Sequence, residues 1–175
     1  MKVFIATDVA VVRDGDRILA PTKYSSIFRR YAQAFGDLVL CARVKAPDAD
    51  AKKFDDITAL TADVVPVGSL PSMLLGRQNG AMAKAMKDCG LVIVRCPAIS
   101  PYRASDLAHR MGKPVLAESM GDPWDAYWNH GLQGKLIAPY MFFKMKSVVG
   151  KADYAIYVTT EFLQRRYPQR APAEP

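Results

Sequence analysis

The residues of this chain that could do chemistry sit just after its apolar runs. Arg95 closes the run Leu91-Val92-Ile93-Val94, Glu118 closes Val115-Leu116-Ala117, and Asp122 and Asp125 follow in Ser119-Met120-Gly121-Asp122-Pro123-Trp124-Asp125. Carboxylates so placed orient sugar hydroxyls, act as a base or stabilise an oxocarbenium-like centre. Glu118 and Asp122 are therefore the candidate catalytic pair, with a helix or loop cap as the alternative. Arg95, directly after a buried strand, binds a phosphate bidentately or else pairs with Glu118 or Asp122. Trp124, Tyr127 and Trp128 beside Asp125 stack on a sugar face or pack the loop. His130 follows the same loop within reach of a ligand, whereas His109 lies among polar neighbours on a helix and reads as solvated surface. Lys23 and Tyr24 join this group if the turn before them folds toward it. The candidate substrate-binding residues are thus Arg95, Trp124, Asp125, His130, Lys23 and Tyr24; no metal site is expected.

These residues need a scaffold that brings successive strand ends together. The run at 91–95 is β-branched and unbroken, as in a strand covered on both faces. A helical stretch from Tyr102 to Met111, a Gly112-Lys113-Pro114 break and the run at 115–118 complete a strand–helix–strand unit. Such crossovers are right-handed and make the strands parallel, so Arg95 and Glu118 share the carboxyl edge, where open sheets bind ligands. Further strands are expected at 2–6, 38–42, 64–67 and 154–158, the one at 64–67 on an edge because Pro66 interrupts it. A hairpin of 9–13 and 17–20 turns at Asp14-Gly15-Asp16.

Helices are expected from Tyr24 to Phe35 with Ser25 or Ser26 as cap, from Ala81 to Lys87 with Gly90 as C-cap, and from Leu136 to Val149 with Pro139 near the start. A last one runs from Glu161 to Tyr167, capped by Thr159 or Thr160. Residues 45–63 read as irregular. The whole predicts an α/β domain over 1–168, a doubly wound, mainly parallel Rossmann-like sheet with helices on both faces and a small β-hairpin after strand one; 169–175 reads as a linker stump.

Composition narrows the function. A net charge of +7, from 24 basic and 17 acidic residues, favours an anionic partner without choosing one. Cys41, Cys89 and Cys96 are odd in number and share no CxxC spacing, which argues against a disulfide framework or a zinc site and for a reducing, cytoplasmic setting. No signal peptide or bilayer-length apolar run is expected. No GxGxxG follows strand one and no GxxxxGK[ST] occurs, so a complete dinucleotide or nucleoside-triphosphate enzyme is not expected. From Lys135 onward, Lys135, Lys144, Lys146, Lys151, Arg165, Arg166 and Arg170 face only Asp153, Glu161 and Glu174. Apolar Leu136-Ile137, Met141-Phe142-Phe143 and Val148-Val149 lie among them. That mixture suits a peripheral helix on an anionic membrane, or a core helix with solvated lysines.

Residues 94–128 and 154–168 resemble a family. Val94-Arg95-Cys96-Pro97, Gly112-Lys113-Pro114-Val115, Gly121-Asp122-Pro123-Trp124-Asp125 and the stretch from Tyr157 to Pro168 are similar to the amino-terminal, acceptor-side domain of GT-B glycosyltransferases, close to glycosyltransferase family 4. The resemblance implies the acceptor-binding half of an enzyme that moves a sugar from a nucleotide-sugar to a glycan or lipid-linked acceptor in bacterial surface-polysaccharide synthesis. It also implies that the nucleotide-sugar, a co-substrate rather than a cofactor, is held mainly by a second domain, and that this chain alone does not transfer sugar. Ala6-Thr7-Asp8-Val9 stands where many members have a glycine-rich turn, and Arg95 and Glu118 stand where a histidine is common. The competing reading is a non-enzymatic α/β module for anionic ligands or nucleic acid. Aromatics gathered in apolar runs, rather than interleaved with basic residues, argue against nucleic acid.

Overall fold

The computed structural model describes residues 1–47, 53–129 and 131–170. Val3, Phe4, Ile5 and Ala6 are fully buried, so the chain starts in the middle of its own sheet. They open β1 (Val3–Asp14), which turns through Gly15, at a φ of 57°, into antiparallel β2 (Arg17–Pro21). Next come α1 (Thr22–Phe35), β3 (Leu38–Lys45), β4 (Phe54–Asp56), a 3-10 turn at Thr58–Leu60 and β5 (Thr61–Pro66). The chain then forms α2 (Leu70–Leu74), α3 (Asn79–Met86), β6 (Leu91–Cys96), α4 (Ile99–Arg110) and β7 (Val115–Ser119). It closes with α5 (Pro123–Trp128), α6 (Gly131–Lys151), β8 (Tyr154–Tyr157) and α7 (Phe162–Arg166).

The parallel part of the sheet runs β5-β3-β1-β6-β7-β8, and β2 and β4 extend the far end of β1 as an antiparallel arm. The α/β, doubly wound expectation holds. The strand order reverses between β1 and β6, where such sheets open a crevice at their carboxyl ends. Alternation along the strands sorts the core into two layers. Phe4, Val92, Val94, Val115 and Ala117 face α3, α4, α6 and α7; Val3, Ile5, Leu91, Ile93 and Leu116 face α1. Arg95 and Glu118 continue the second row.

Several local expectations are corrected. The strand at 2–6 and the first hairpin arm are one strand, since the β1 ladder to β3 resumes at Ala10 after a bulge. The stretch 45–63 holds β4, whose Phe54, Asp55 and Asp56 pair with β2; residues 48–52 of it lie outside the described residues. Helix α1 starts after Pro21 without a side-chain cap, and the Ser25 hydroxyl instead donates to Thr22 O (3.1 Å) and the Asp55 carboxylate (2.5 Å). Gly90 is not a helix cap. Its N–H donates to Lys2 O, and a β-carbon there would run into the Met1 side chain. Helix α6 starts at Gly131, not Leu136, so Pro139 lies inside it. The carbonyl that Pro139 leaves unpaired belongs to exposed Lys135, where water can serve it. Helix α7 has Glu161, not Thr159 or Thr160, at its N-cap and no side-chain cap there, although Leu163 N–H of its first turn donates to the Thr159 hydroxyl at 3.0 Å.

Candidate functional site

The crevice at the switch point is ≈ 300 Å³ and is lined from β1, α1, β3, β6 and the loop after β7. Its shape begins with β1. Against β3, Ala6 pairs Cys41 and Ala10 pairs Arg43, so β1 spends four residues where β3 spends two. The surplus is expelled as a bulge, a device common beside sites. Thr7 turns inward and its Oγ1 accepts from Val9 N–H at 3.2 Å; Asp8 turns out into the crevice. Arg43 holds the bulge. Its Nη2 donates to Asp8 O at 2.8 Å and to the Asp8 carboxylate at 3.1 Å. Partial burial raises the Asp8 pKa above the ordinary carboxylate value, and the Arg43 charge opposes that shift. The Asp8 charge also reaches Tyr127 on α5, whose phenol is raised chiefly by burial and further by Asp8.

Arg95 forms the opposite wall. Its side chain is 1% exposed, and Nε donates to Glu118 at 2.5 Å across paired positions of β6 and β7. Nη2 lies 2.9 Å from Met120 Sδ, and Nη1 is buried with no hydrogen-bond partner. The same Glu118 oxygen accepts from Tyr31 OH of α1 at 2.9 Å. The Tyr31 phenol is pushed well up, first by burial and then by the Glu118 charge and hydrogen bond, so it stays a donor. Glu118 is thus occupied in aiming Arg95. The Tyr24 ring lies between two cations, with Lys23 Nζ at 4.8 Å and the Arg95 guanidinium at 6.0 Å from its centroid. The amino end of α4 follows directly from Cys96 and Pro97 of the crevice wall, and Ser100 Oγ donates to Thr7 O at 3.4 Å.

The structure therefore brings together four of the residues singled out in the sequence: Arg95, Glu118, Tyr24 and, beside them, Lys23. Of the rest, Asp122, Trp124 and Asp125 do not line this crevice. Asp122 takes the cap role left open beside the catalytic one. One oxygen accepts from Trp124 N–H (2.9 Å) and Tyr167 OH (2.5 Å), the other contacts Arg166 Nε at 2.5 Å, and the side chain is 5% exposed. Trp124 stacks on Trp128 at 4.7 Å and meets Phe142 edge-on at 5.9 Å. Asp125 is exposed in the first turn of α5, and His130 lies outside the described residues. Asp8, Arg43 and Tyr31 were missed. The signal for Asp8 was present: two polar residues, Thr7-Asp8, between apolar runs that prove to be one strand.

With this geometry in place, comparison with known proteins shows what the chain is similar to. No family model matches it. Over 176 residues, 96% of this chain and 44% of the relative, it is 26% identical to protein CapJ of Staphylococcus aureus. Among solved structures it is similar to a putative UDP-N-acetylglucosamine 2-epimerase from Listeria monocytogenes, with a TM-score of 0.52 at 10% identity, covering 95% of this chain and 41% of that one. It is also similar to a co-structure of S. aureus MnaA with UDP, with a TM-score of 0.50 at 10% identity, covering 90% and 38%. The likeness to these structures is one of fold, Rossmann-like and of the GT-B kind. The chain spans less than half the length of the relatives it matches.

Proposed function

We propose that this chain is the acceptor-side half of a glycosyltransferase of surface-polysaccharide synthesis, which moves a sugar from a nucleotide-sugar to a glycan or lipid-linked acceptor. The observation that carries the reading is the buried Arg95, aimed by Glu118 and Tyr31 into the wall of the switch-point crevice with one guanidinium nitrogen unpartnered, opposite the Asp8 carboxylate. The similarity to CapJ along nearly the whole chain supports it.

In this reading an acceptor hydroxyl lies in the crevice between the two walls. Its oxygen bonds to the sugar's anomeric carbon as the bond from that carbon to the diphosphate oxygen breaks, and the nucleoside diphosphate leaves with the electron pair. Asp8, the carboxylate open to the crevice and raised above its ordinary pKa, takes the hydroxyl proton. Arg95 and the amino end of α4 stabilise negative charge on the phosphate side. Glu118 acts through Arg95, and Asp122 through α5, as positioning residues. Lys23 and Tyr24 border the acceptor.

The nucleotide-sugar is held mainly by a second domain, so this chain alone binds acceptor without transfer. The test uses a protein that carries both halves, assayed with a panel of nucleotide-sugars and lipid-linked acceptors. Asp8→Asn is expected to lower kcat by about a hundredfold or more with KM for the donor unchanged, in the range typical of a lost general base. Wild-type turnover in that variant, or robust transfer by residues 1–175 alone, overturns the reading. A second reading comes from the UDP-N-acetylglucosamine 2-epimerase names among the structural neighbours. An epimerase would convert the nucleotide-sugar with no acceptor present, and the same assay without acceptor detects it.

A further inference from the structure

Helix α6 presents two opposite faces. At 100° per residue, Gly134, Ala138, Met141, Met145, Val148 and Val149 fall on one arc, and all are buried against the sheet. The opposite arc would be polar in an ordinary surface helix. Here it carries Leu132 and Leu136, 76% and 74% exposed, then Tyr140 and Phe143, 44% and 65% exposed. They form one stripe about 17 Å long at 1.5 Å per residue. Lys135 and Lys146 border the stripe on one side, Lys144 and Lys151 on the other. The 21 residues of α6 contain those four lysines and no acidic residue.

Two further contacts widen the basic, aromatic rim. Lys135 Nζ lies 5.8 Å from the Trp128 ring centroid, and Lys146 Nζ and the Arg166 guanidinium converge on the Phe142 ring at 6.0 and 4.9 Å. No helix among the described residues is long and apolar enough to cross a membrane.

We infer that the outer face of α6 seats this domain on an anionic lipid surface, with Leu132, Leu136 and Phe143 entering the acyl boundary and the lysines meeting the headgroups. The observations select lipid over a protein partner. The charge that α6 itself sets beside the stripe is basic throughout, Lys144 being paired with Asp106 of α4 at 2.7 Å and Lys135, Lys146 and Lys151 carrying the charge complementary to an anionic sheet, and Tyr140 and Trp128 have the amphipathic shape that favours the interface. The sequence could not separate this surface from the core, because Met141, Val148 and Val149, which look equally apolar in sequence, turn inward. The amino end of α6 lies toward the carboxyl edge of the sheet, since the helix runs back to the start of β8, so docking would bring the crevice edge toward the lipid. This surface shares no residue with the crevice, and its test needs no turnover, so it fails or stands apart from the transferase reading.

The test mixes the 175-residue chain with vesicles of phosphatidylcholine alone or with added phosphatidylglycerol, at low and high salt. Sedimentation reads binding. The tryptophan emission, which comes only from Trp124 and Trp128 on α5, reads insertion beside α6. Binding is expected to the anionic vesicles alone, to weaken in salt, and to shift the emission to the blue. Lys135→Gln with Lys146→Gln is expected to weaken binding about 30-fold, at roughly one kilocalorie per lysine near the surface. Leu136→Ser with Phe143→Ser is expected to abolish the blue shift while circular dichroism stays native, since both side chains are exposed. Failure to bind anionic vesicles, or equal binding by both double variants, overturns the inference. So does a stable dimer of the wild-type chain that Leu136→Ser with Phe143→Ser dissolves, because the stripe would then be the seat of a second copy.

Discussion

Replacing Arg95 and Glu118 singly and together separates what this pair does from what it stabilises. The Arg95 side chain is 1% exposed and the Glu118 side chain 11%, so either charge left alone would be buried without its partner. Removing one member of such a pair typically costs about 3–5 kcal/mol, whereas replacing both with apolar residues of similar volume is often neutral or stabilising. Arg95→Met and Glu118→Leu are each expected to lose about that much stability. In a domain of this size, that lowers Tm by roughly 6–20 °C. The double variant is expected within about 1 kcal/mol of wild type, a coupling of several kcal/mol in the cycle. Urea unfolding followed by circular dichroism measures all four proteins. The same double variant, in a protein with both halves, is expected to bind acceptor and leaving diphosphate poorly despite its restored fold. Additive losses in the cycle would refute the reasoning, because the pair would then be a net structural brace and the unpartnered Nη1 would need no ligand to explain it.

Other expectations follow from the same geometry. Asp8→Asn is expected to leave Tm within a degree or two, because its partner Arg43 is an exposed ion pair worth at most about 1 kcal/mol. Asp122→Ala is expected to destabilise by roughly 1–3 kcal/mol in urea unfolding, since it removes the cap of α5 and strands Tyr167 OH and Arg166, with donor affinity in the two-half enzyme unchanged. Tyr167→Phe is expected to lose about 1 kcal/mol by itself and little further on top of Asp122→Ala. Stability is expected to fall on the alkaline side. Burial raises the Cys41 thiol to about 12 and raises the Tyr31, Tyr102 and Tyr167 phenols, so the folded chain keeps protons that the unfolded chain releases. The contribution is whole below the unfolded values and fades as pH rises past about 9 to 10, by up to about 1.4 kcal/mol per pH unit for each group. A urea midpoint that stays level from pH 8 to 11 would contradict that assignment.

Most of the architecture was legible in the sequence, and the parts that were not have physical reasons. The buried strands announce themselves because parallel strands covered on both faces must be apolar throughout, as Leu91 to Val94 are. Helix α6 extends beyond the expected Leu136–Val149 by five residues at its start and two at its end. Gly131, Gly134 and Pro139 weigh against a helix locally, yet Gly134 and Ala138 are buried and α5 packs on α6, and tertiary contact overrides propensity. Strand β4 had no signal of its own. Phe54, Asp55 and Asp56 are strand only because β2 offers an open edge and because Ser25, Thr22 and Arg17 take up the two carboxylates.

The site shows the same division. Arg95 and Glu118 could be placed from topology alone, since a crossover between parallel strands puts both at one edge. What each carboxylate does could not be, because Asp8, Glu118 and Asp122 all follow apolar runs and differ only in what closes over them. Glu118 meets a cation and a phenol, and Asp122 meets a helix start, a phenol and a guanidinium. Asp8 meets a guanidinium on one side and the open crevice on the other. A carboxylate turned into the protein onto fixed partners holds other groups in place; one that keeps an open side can exchange a proton with what enters. The bulge in β1 makes that difference. Without its two surplus residues, Asp8 would continue the ladder beside β3, and the crevice would present two guanidinium groups with no carboxylate between them.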